Sequence, residues 1–375
     1  MKRYIYGKSQ NEVVNRNGIL VFTDYWLNNL DKLAMEHPLA VISEYRYVFS
    51  HVPSYLQKYN IPMFFFDEAE IERINNFSSL TIDLLTNTIS ESNGEHTSTE
   101  LPMLNAPIDV FSVNTSIKGL NNNASYDCGA DGIGLVSTEF LFLDEQNMDK
   151  NTYSDGLEKV LKMHPDFEYT IRLFDFNHDK FPKWFQKKYD IESFKYYKGR
   201  NFFLLSGMDD LLIMQISTLI ELSRTYKIAI LLPYVNSEQE VSKIKQIIHA
   251  LDPITNIRIG IMLETVTAIY EIRALSQLVD FFSIGTNDLV QSYFGVDRTD
   301  IVSMNQIDVL SPSFLDILKF ALIHANSKRM RMCGQLPIIP GMLERLVRLG
   351  YKDFTVSPQW VPYIRNELSR YNRQD

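Results

Sequence analysis

The chain has 375 residues and 45% hydrophobic content, enough for two domains or one large one around a well-filled core. Its formal net charge of −9 argues against nucleic acid as the main partner, because a phosphate backbone is usually met by a basic surface, so any anion site has to be local. Two cysteines, Cys128 and Cys333, are too few for a disulfide framework or a zinc cage, no run nears the roughly 18 apolar residues of a membrane span, and Met1-Lys2-Arg3-Tyr4 opens no signal peptide, so a cytoplasmic protein without a membrane partner is expected.

From the N-terminus, short apolar runs at 19–22, 40–42, 63–66 and 80–85 alternate with helix-like stretches such as 26–35. A small α/β domain is expected over residues 1–92. The sequence turns polar and irregular between Ser90 and Pro107, which places a linker at 93–106. Residues 107–375 then carry eight β-rich runs, at 108–113, 132–136, 169–174, 228–232, 257–263, 281–284, 331–333 and 353–356. Helical spacing fills 211–225, 238–250, 267–278, 312–326 and 340–349 between them. Continuous apolar strands alternating with amphipathic helices imply a parallel sheet covered by helices. Eight such units suit a (β/α)8 TIM barrel, with an open doubly wound sheet as the alternative.

In such barrels the polar residues that end each strand converge on one mouth. The third strand ends in Arg172 and Asp175, followed by Asn177, Asp179 and Lys180. The fifth ends in Glu264 and the sixth in Gly285-Thr286-Asn287-Asp288, with Arg298 beyond the next turn. The seventh ends in Cys333-Gly334-Gln335. Glu264 and Asp288, on neighbouring strands, suit a hard cation such as Mg2+, which takes one or two protein carboxylates and fills its other positions with water and substrate oxygens. Arginines at the same mouth supply planar donors for phosphate or carboxylate. Taken singly, each acid also reads as a helix cap, Cys333 as a small buried hydrophobe and Arg298 as a surface residue.

Several blocks resemble the phosphoenolpyruvate-utilising family, which includes enzyme I of the sugar phosphotransferase system, pyruvate phosphate dikinase and phosphoenolpyruvate synthase; the likeness to enzyme I is the strongest. The blocks are GADGIGLVSTEFLFLD from Gly129, IRLFDFNHDK from Ile171, GIMLETVTAI from Gly260, DFFSIGTNDLVQSYFGVDR from Asp280, LSPSF from Leu310 and MCGQL from Met332. The resemblance implies Glu264 and Asp288 as Mg2+ ligands, and Arg172, Arg200, Arg298 and Asn287 as substrate-binding residues. It also implies Cys333 as the acid that protonates the enolate of pyruvate, a task for which a thiol with an ordinary pKa near 8.5 is suited. The stretch VISEYRYVFSHVPSYLQKYNIPMFFF resembles the family's swivelling phosphohistidine domain and puts His51 at the phosphorylated position. A homodimer formed through the barrel and a separate phosphoryl acceptor follow from the same resemblance.

The chain departs from the family pattern in several places. Ser137 stands where the family has an arginine, and losing a charge-assisted hydrogen bond costs about 1.5–3 kcal/mol, or roughly ten- to a hundredfold in binding or rate. In the histidine loop Arg46 and Tyr47 replace two glycines, Phe49 a threonine and Gln57 an arginine, with Arg46 a conceivable substitute for the missing cation; Gln335 replaces a glutamate. No stretch resembles enzyme I's carrier-binding domain or an ATP-binding module. The leading expectation is a phosphoenolpyruvate-dependent phosphotransferase that forms phosphohistidine and pyruvate. The alternatives are a ligand-binding sensor or scaffold without turnover, and a metal-dependent lyase or mutase that works without His51.

Overall fold

The computed structural model describes residues 4–10, 18–74, 77, 79–92, 110–119, 128–176, 181–189, 207–297 and 300–371. Its first part is a six-stranded sheet of β1 (Tyr4–Gln10), β2 (Gly18–Val21), β3 (Ala40–Glu44), β4 (Met63–Phe66), β5 (Leu80–Asp83) and β6 (Thr88–Glu91), ordered β4-β3-β2-β1-β5-β6. Strands β2 to β4 read GILV, AVISE and MFFF and are buried almost throughout. Unbroken apolar strands belong inside a parallel sheet with both faces covered, and these pair in parallel. In LTID of β5 burial alternates, and this strand pairs antiparallel with β1 and β6 at the edge.

The helix expected over 26–35 is two helices, Asp24–Leu27 and Leu30–Glu36, parted at Asn28-Asn29, where asparagine side chains compete for backbone hydrogen bonds. Helix Val52–Lys58 starts directly after His51, with Pro53 in its first turn, where a missing N–H costs nothing. Neither this helix nor Glu68–Ile74 stood out in the apolar pattern, and β1 and β6 also went unread.

The second part closes on itself, which excludes the open doubly wound sheet. Strands β7 (Ser112–Ile117), β8 (Ile133–Ser137), β9 (Glu168–Arg172), β10 (Lys227–Leu232), β11 (Arg258–Leu263), β12 (Phe281–Gly285), β13 (Arg329–Cys333) and β14 (Asp353–Val356) form a parallel barrel in chain order, β14 pairing with β7. This is the (β/α)8 arrangement. The first run lies later than its expected 108–113; the expected helix at 267–278 is broken at Glu271 into Val266–Tyr270 and Ile272–Leu275.

Period-two alternation sets what each strand turns inward. Leu135, Ala229, Leu231, Met262, Phe281 and Cys333 fill the barrel, whereas Ile230, Ile261, Leu263, Met330 and Met332 join the larger core between strands and helices. That larger core continues without a break into the six-stranded sheet. Phe65 stacks on Trp360 with ring centroids 6.2 Å apart, and Phe64 lies 5.6 Å from the same ring. Gln57, buried between the two parts, donates to the Ser116 carbonyl at 2.8 Å and accepts from Ser357 Oγ at 3.1 Å. Lys58 pairs with Asp144 at 2.5 Å. The residue that departs from the family's arginine at 57 is therefore part of the seam between sheet and barrel. Among the described residues no helix is long and apolar enough to cross a membrane.

Candidate active site

At the C-terminal end of the strands lies a cavity of about 110 Å³. His51, Arg172, Glu264, Asn287, Asp288 and Cys333 all line it, so six of the eight residues expected from sequence stand at one mouth. Arg200 and Arg298, like Asn177, Asp179 and Lys180, lie outside the described residues.

Glu264 is delivered by alternation: Gly260 and Met262 face the barrel interior, and the next inward position falls just past the end of β11. The carboxylate is 1% exposed. Its Oε1 accepts from the Tyr234 backbone N–H at 2.6 Å, and its Oε2 has no hydrogen-bond partner among the described residues. Burial, and then the charges of Asp175 and Asp288, push its pKa well above the usual carboxylate range, against the smaller opposing effects of Arg172 and the Tyr234 N–H. Tyr234 holds that N–H in place with a left-handed backbone, φ 49°, a strained conformation for a residue with a side chain. Gly285 makes room alongside, since a Cβ there would stand 3.0 Å from both Cβ and Oε2 of Glu264.

Asn287 and Asp288 occupy the first turn of helix Thr286–Phe294, which begins where β12 stops. A helix start presents unpaired N–H groups and a partial positive charge, so it favours anions. Asn287 Oδ1 accepts from the Gln335 N–H at 3.2 Å, tying this turn to the loop after Cys333. Gly334 between them has φ 123°, and a Cβ there would lie 2.3 Å from Thr286 Oγ1. Only glycine combines that backbone with that approach.

Arg172 ends β9 and is 8% exposed. Its guanidinium donates to Glu139 at 2.5 Å and pairs with Asp175 at 2.9 Å. Burial alone would lower its pKa, but Glu139, Asp175 and Glu264 outweigh that and raise it, so the cation is permanent. Cys333, 4% exposed, has its thiol pKa pushed up by burial, partly offset by Arg331, Lys118, Arg172 and a hydrogen bond with Ser283. It holds its proton at neutral pH.

Sequence reasoning missed Glu139, Lys118 and the Tyr234 N–H, and named Asp175 without giving it a role. The signal for Glu139 was its place inside the block GADGIGLVSTEFLFLD; Lys118 and Tyr234 carry no motif. Arg46 does not line the cavity: it pairs with Glu44 at 3.0 Å and lies over the Tyr47 ring. Among the described residues no group of three or more His, Cys, Asp or Glu side chains is gathered to hold a metal alone.

The family model described as PEP-utilising enzyme, PEP-binding domain, matches residues 94–373, which takes in every barrel strand. The chain belongs to the PEP-utilising enzymes. A phosphoenolpyruvate-protein phosphotransferase of Haemophilus influenzae is 30% identical over 66% of this chain and 45% of its own length. One from Mycoplasma pneumoniae is 27% identical over 74% of this chain and 49% of its own. Multiphosphoryl transfer protein 2 of Escherichia coli is 25% identical over 67% and 32%. The chain thus spans about half, or less, of the length of these relatives. Ser137, which the resemblance sets against an arginine, lines the cavity.

Proposed function

We propose that this chain transfers the phosphoryl group of phosphoenolpyruvate to His51, releasing pyruvate, and passes the group on to a separate acceptor. The observation that carries this reading is that His51, at the start of helix Val52–Lys58, and Cys333, from the barrel, line one cavity with Arg172, Asn287, Glu264 and Asp288. A nucleophile for phosphorus and a proton donor for carbon then face the same small volume.

Glu264 and Asp288 would hold Mg2+, and the buried Glu264 oxygen without a partner, beside two like charges, is what such an ion satisfies. Bound there, the ion supplies charge neutralisation for phosphate and enolate oxygens. Arg172, already held by Glu139 and Asp175, is oriented before substrate arrives and offers a preset fork to the anion. A ring nitrogen of His51 attacks phosphorus with its lone pair. The bond from phosphorus to the bridging oxygen breaks, and its electron pair stays on that oxygen as the enolate. Cys333 then gives its proton to the methylene carbon, which forms the methyl group of pyruvate and leaves a thiolate that regains a proton from solvent. Asn287 keeps the Cys333 loop in register through the Gln335 N–H.

Incubation with phosphorus-labelled phosphoenolpyruvate and Mg2+ tests the reading. Acid-labile label on the protein, absent in His51→Ala, is expected together with pyruvate release that falls by at least about a hundredfold in Cys333→Ala. Absence of label, while a known phosphoenolpyruvate-protein phosphotransferase labels in parallel, overturns it. Unchanged pyruvate release in His51→Ala would instead favour chemistry confined to the barrel. A homodimer through the barrel is part of the same proposal, and sedimentation at twice the chain mass is its check.

A further inference from the structure

The geometry points to Lys118 as the cation that binds the substrate's phosphoryl group in place of the arginine absent at Ser137, an inference that rests on the function just proposed. Strands β7 and β8 are parallel neighbours with Ile117 opposite Val136. The next residue on each is Lys118 and Ser137, which therefore leave the barrel side by side at the mouth, and both line the cavity. Ser137 is 1% exposed and its hydroxyl has no hydrogen-bond partner among the described residues. Its short side chain brings no charge to the cavity.

Lys118 brings one to the same place. Its ammonium donates to Ser54 Oγ and lies 5.6 Å from the centroid of the Phe140 ring, which also lines the cavity. Ser54 is in the first turn after His51, so the ammonium stands between the histidine's helix and the barrel mouth. It is also near enough to Cys333 to oppose the rise in that thiol's pKa. The next residue, Gly119, packs closely on the seam, since a Cβ there would come within 2.5 Å of the carbonyl oxygen of Lys58, whose ammonium pairs with Asp144. A lysine also suits a group in transit. Its ammonium is a compact charge with three rotatable donors on a flexible stem, and it follows a moving phosphoryl group where a guanidinium would hold one orientation.

Calorimetric titration of phosphoenolpyruvate in Mg2+ tests this on the full chain, with melting curves to confirm folding and pyruvate release as a second readout. Lys118→Gln is expected to weaken affinity about ten- to a hundredfold. Lys118→Arg should keep affinity within a few-fold, and adding Ser137→Arg to Lys118→Gln should restore about tenfold or more. Equal affinity of Lys118→Gln and wild type would overturn the inference and leave the proposed function standing. So would equal losses in Lys118→Gln and Lys118→Arg, since charge would then not be the cause. If wild type itself binds no phosphoenolpyruvate in Mg2+, the proposed function falls and takes this inference with it. Where Lys118→Gln melts early, its affinity is measured below its melting temperature beside wild type at that temperature, and equal values there overturn the inference.

Discussion

The two ends of the barrel use the same residue types to opposite effect. At the bottom, where the strands begin, Asp353 receives Arg329 at 2.5 Å, Arg331 at 3.1 Å and the Asn114 amide at 2.9 Å. Glu168 pairs with Arg258 at 2.7 Å and Arg329 at 3.3 Å. Burial pushes the Glu168 pKa up, but the hydrogen bond and charge of Arg258, with Arg329 and Arg331, carry it below the usual carboxylate range. At the top, Glu139, Asp175, Glu264 and Asp288 line one cavity, where the described arginine, Arg172, is shared between Glu139 and Asp175. There Glu264 is pushed the other way. Acids matched with bases tie the bottom strands together; among the described residues the top carries more acids than arginines, an excess that the proposed function assigns to a cation and an anion. In parallel barrels generally the bottom serves stability and the top chemistry, and here the distribution of arginines implements that division.

The comparison breaks first at Arg331. Its side chain is 3% exposed and reaches across the interior to the Gly134 carbonyl at 3.0 Å and Thr170 Oγ1 at 2.8 Å as well as to Asp353. Arg331→Ala leaves Asp353 with Arg329 and Asn114 but breaks a buried ion pair and takes a donor from both the Gly134 carbonyl and Thr170 Oγ1, for which a cost of about 3–5 kcal/mol is expected. A urea midpoint within error of wild type would show that the bottom network does not stabilise the barrel.

A smaller effect sharpens the contrast from the top. A divalent ion that binds the folded mouth and not the unfolded chain stabilises the protein by about 2.7 kcal/mol at a hundredfold excess over its Kd. Mg2+ should therefore raise the melting temperature of wild type and of a bottom variant alike. A melting temperature independent of Mg2+ up to 10 mM, roughly the range open to weak oxygen-ligand sites, would count against a cation on Glu264 and Asp288.

How far the sequence reveals this arrangement depends on what each residue needs in order to act. The strands were legible because continuous apolar runs between turn residues persist whatever the tertiary context, and 353–356 was read to the residue. Glu264, Asp288 and Cys333 were legible because a strand end is a position that pattern alone can locate. Lys118 was not, because its importance arises only when β7 and β8 come into register and Ile117 meets Val136. Gln57 read as a lost arginine, whereas its role depends on Ser116 and Ser357, which are remote in the chain. The two short helices at 24–36 read as one because their apolar spacing runs through Asn28 and Asn29 without a break.

The smallest effect is the most telling because its sign is unusual. Most substitutions of buried polar residues destabilise. Glu264→Gln keeps the shape of the side chain and leaves a carbonyl oxygen to accept from the Tyr234 N–H, while it removes a buried charge that faces Asp175 and Asp288. At neutral pH the carboxylate's raised pKa means that its ionised form opposes folding, and this cost fades as pH falls and the group protonates. The glutamine variant should therefore be more stable than wild type without Mg2+, by about 1 kcal/mol or about 2 °C in melting temperature, and the gap should narrow as the pH is lowered. It should also lose the Mg2+ response and all measurable pyruvate release. A matched glutamine substitution at Glu168, where the charge is already paired, should destabilise instead. If both variants shift the same way, the two ends of the barrel do not differ as their arginines imply, and the excess of acid at the top has another cause than readiness for a cation.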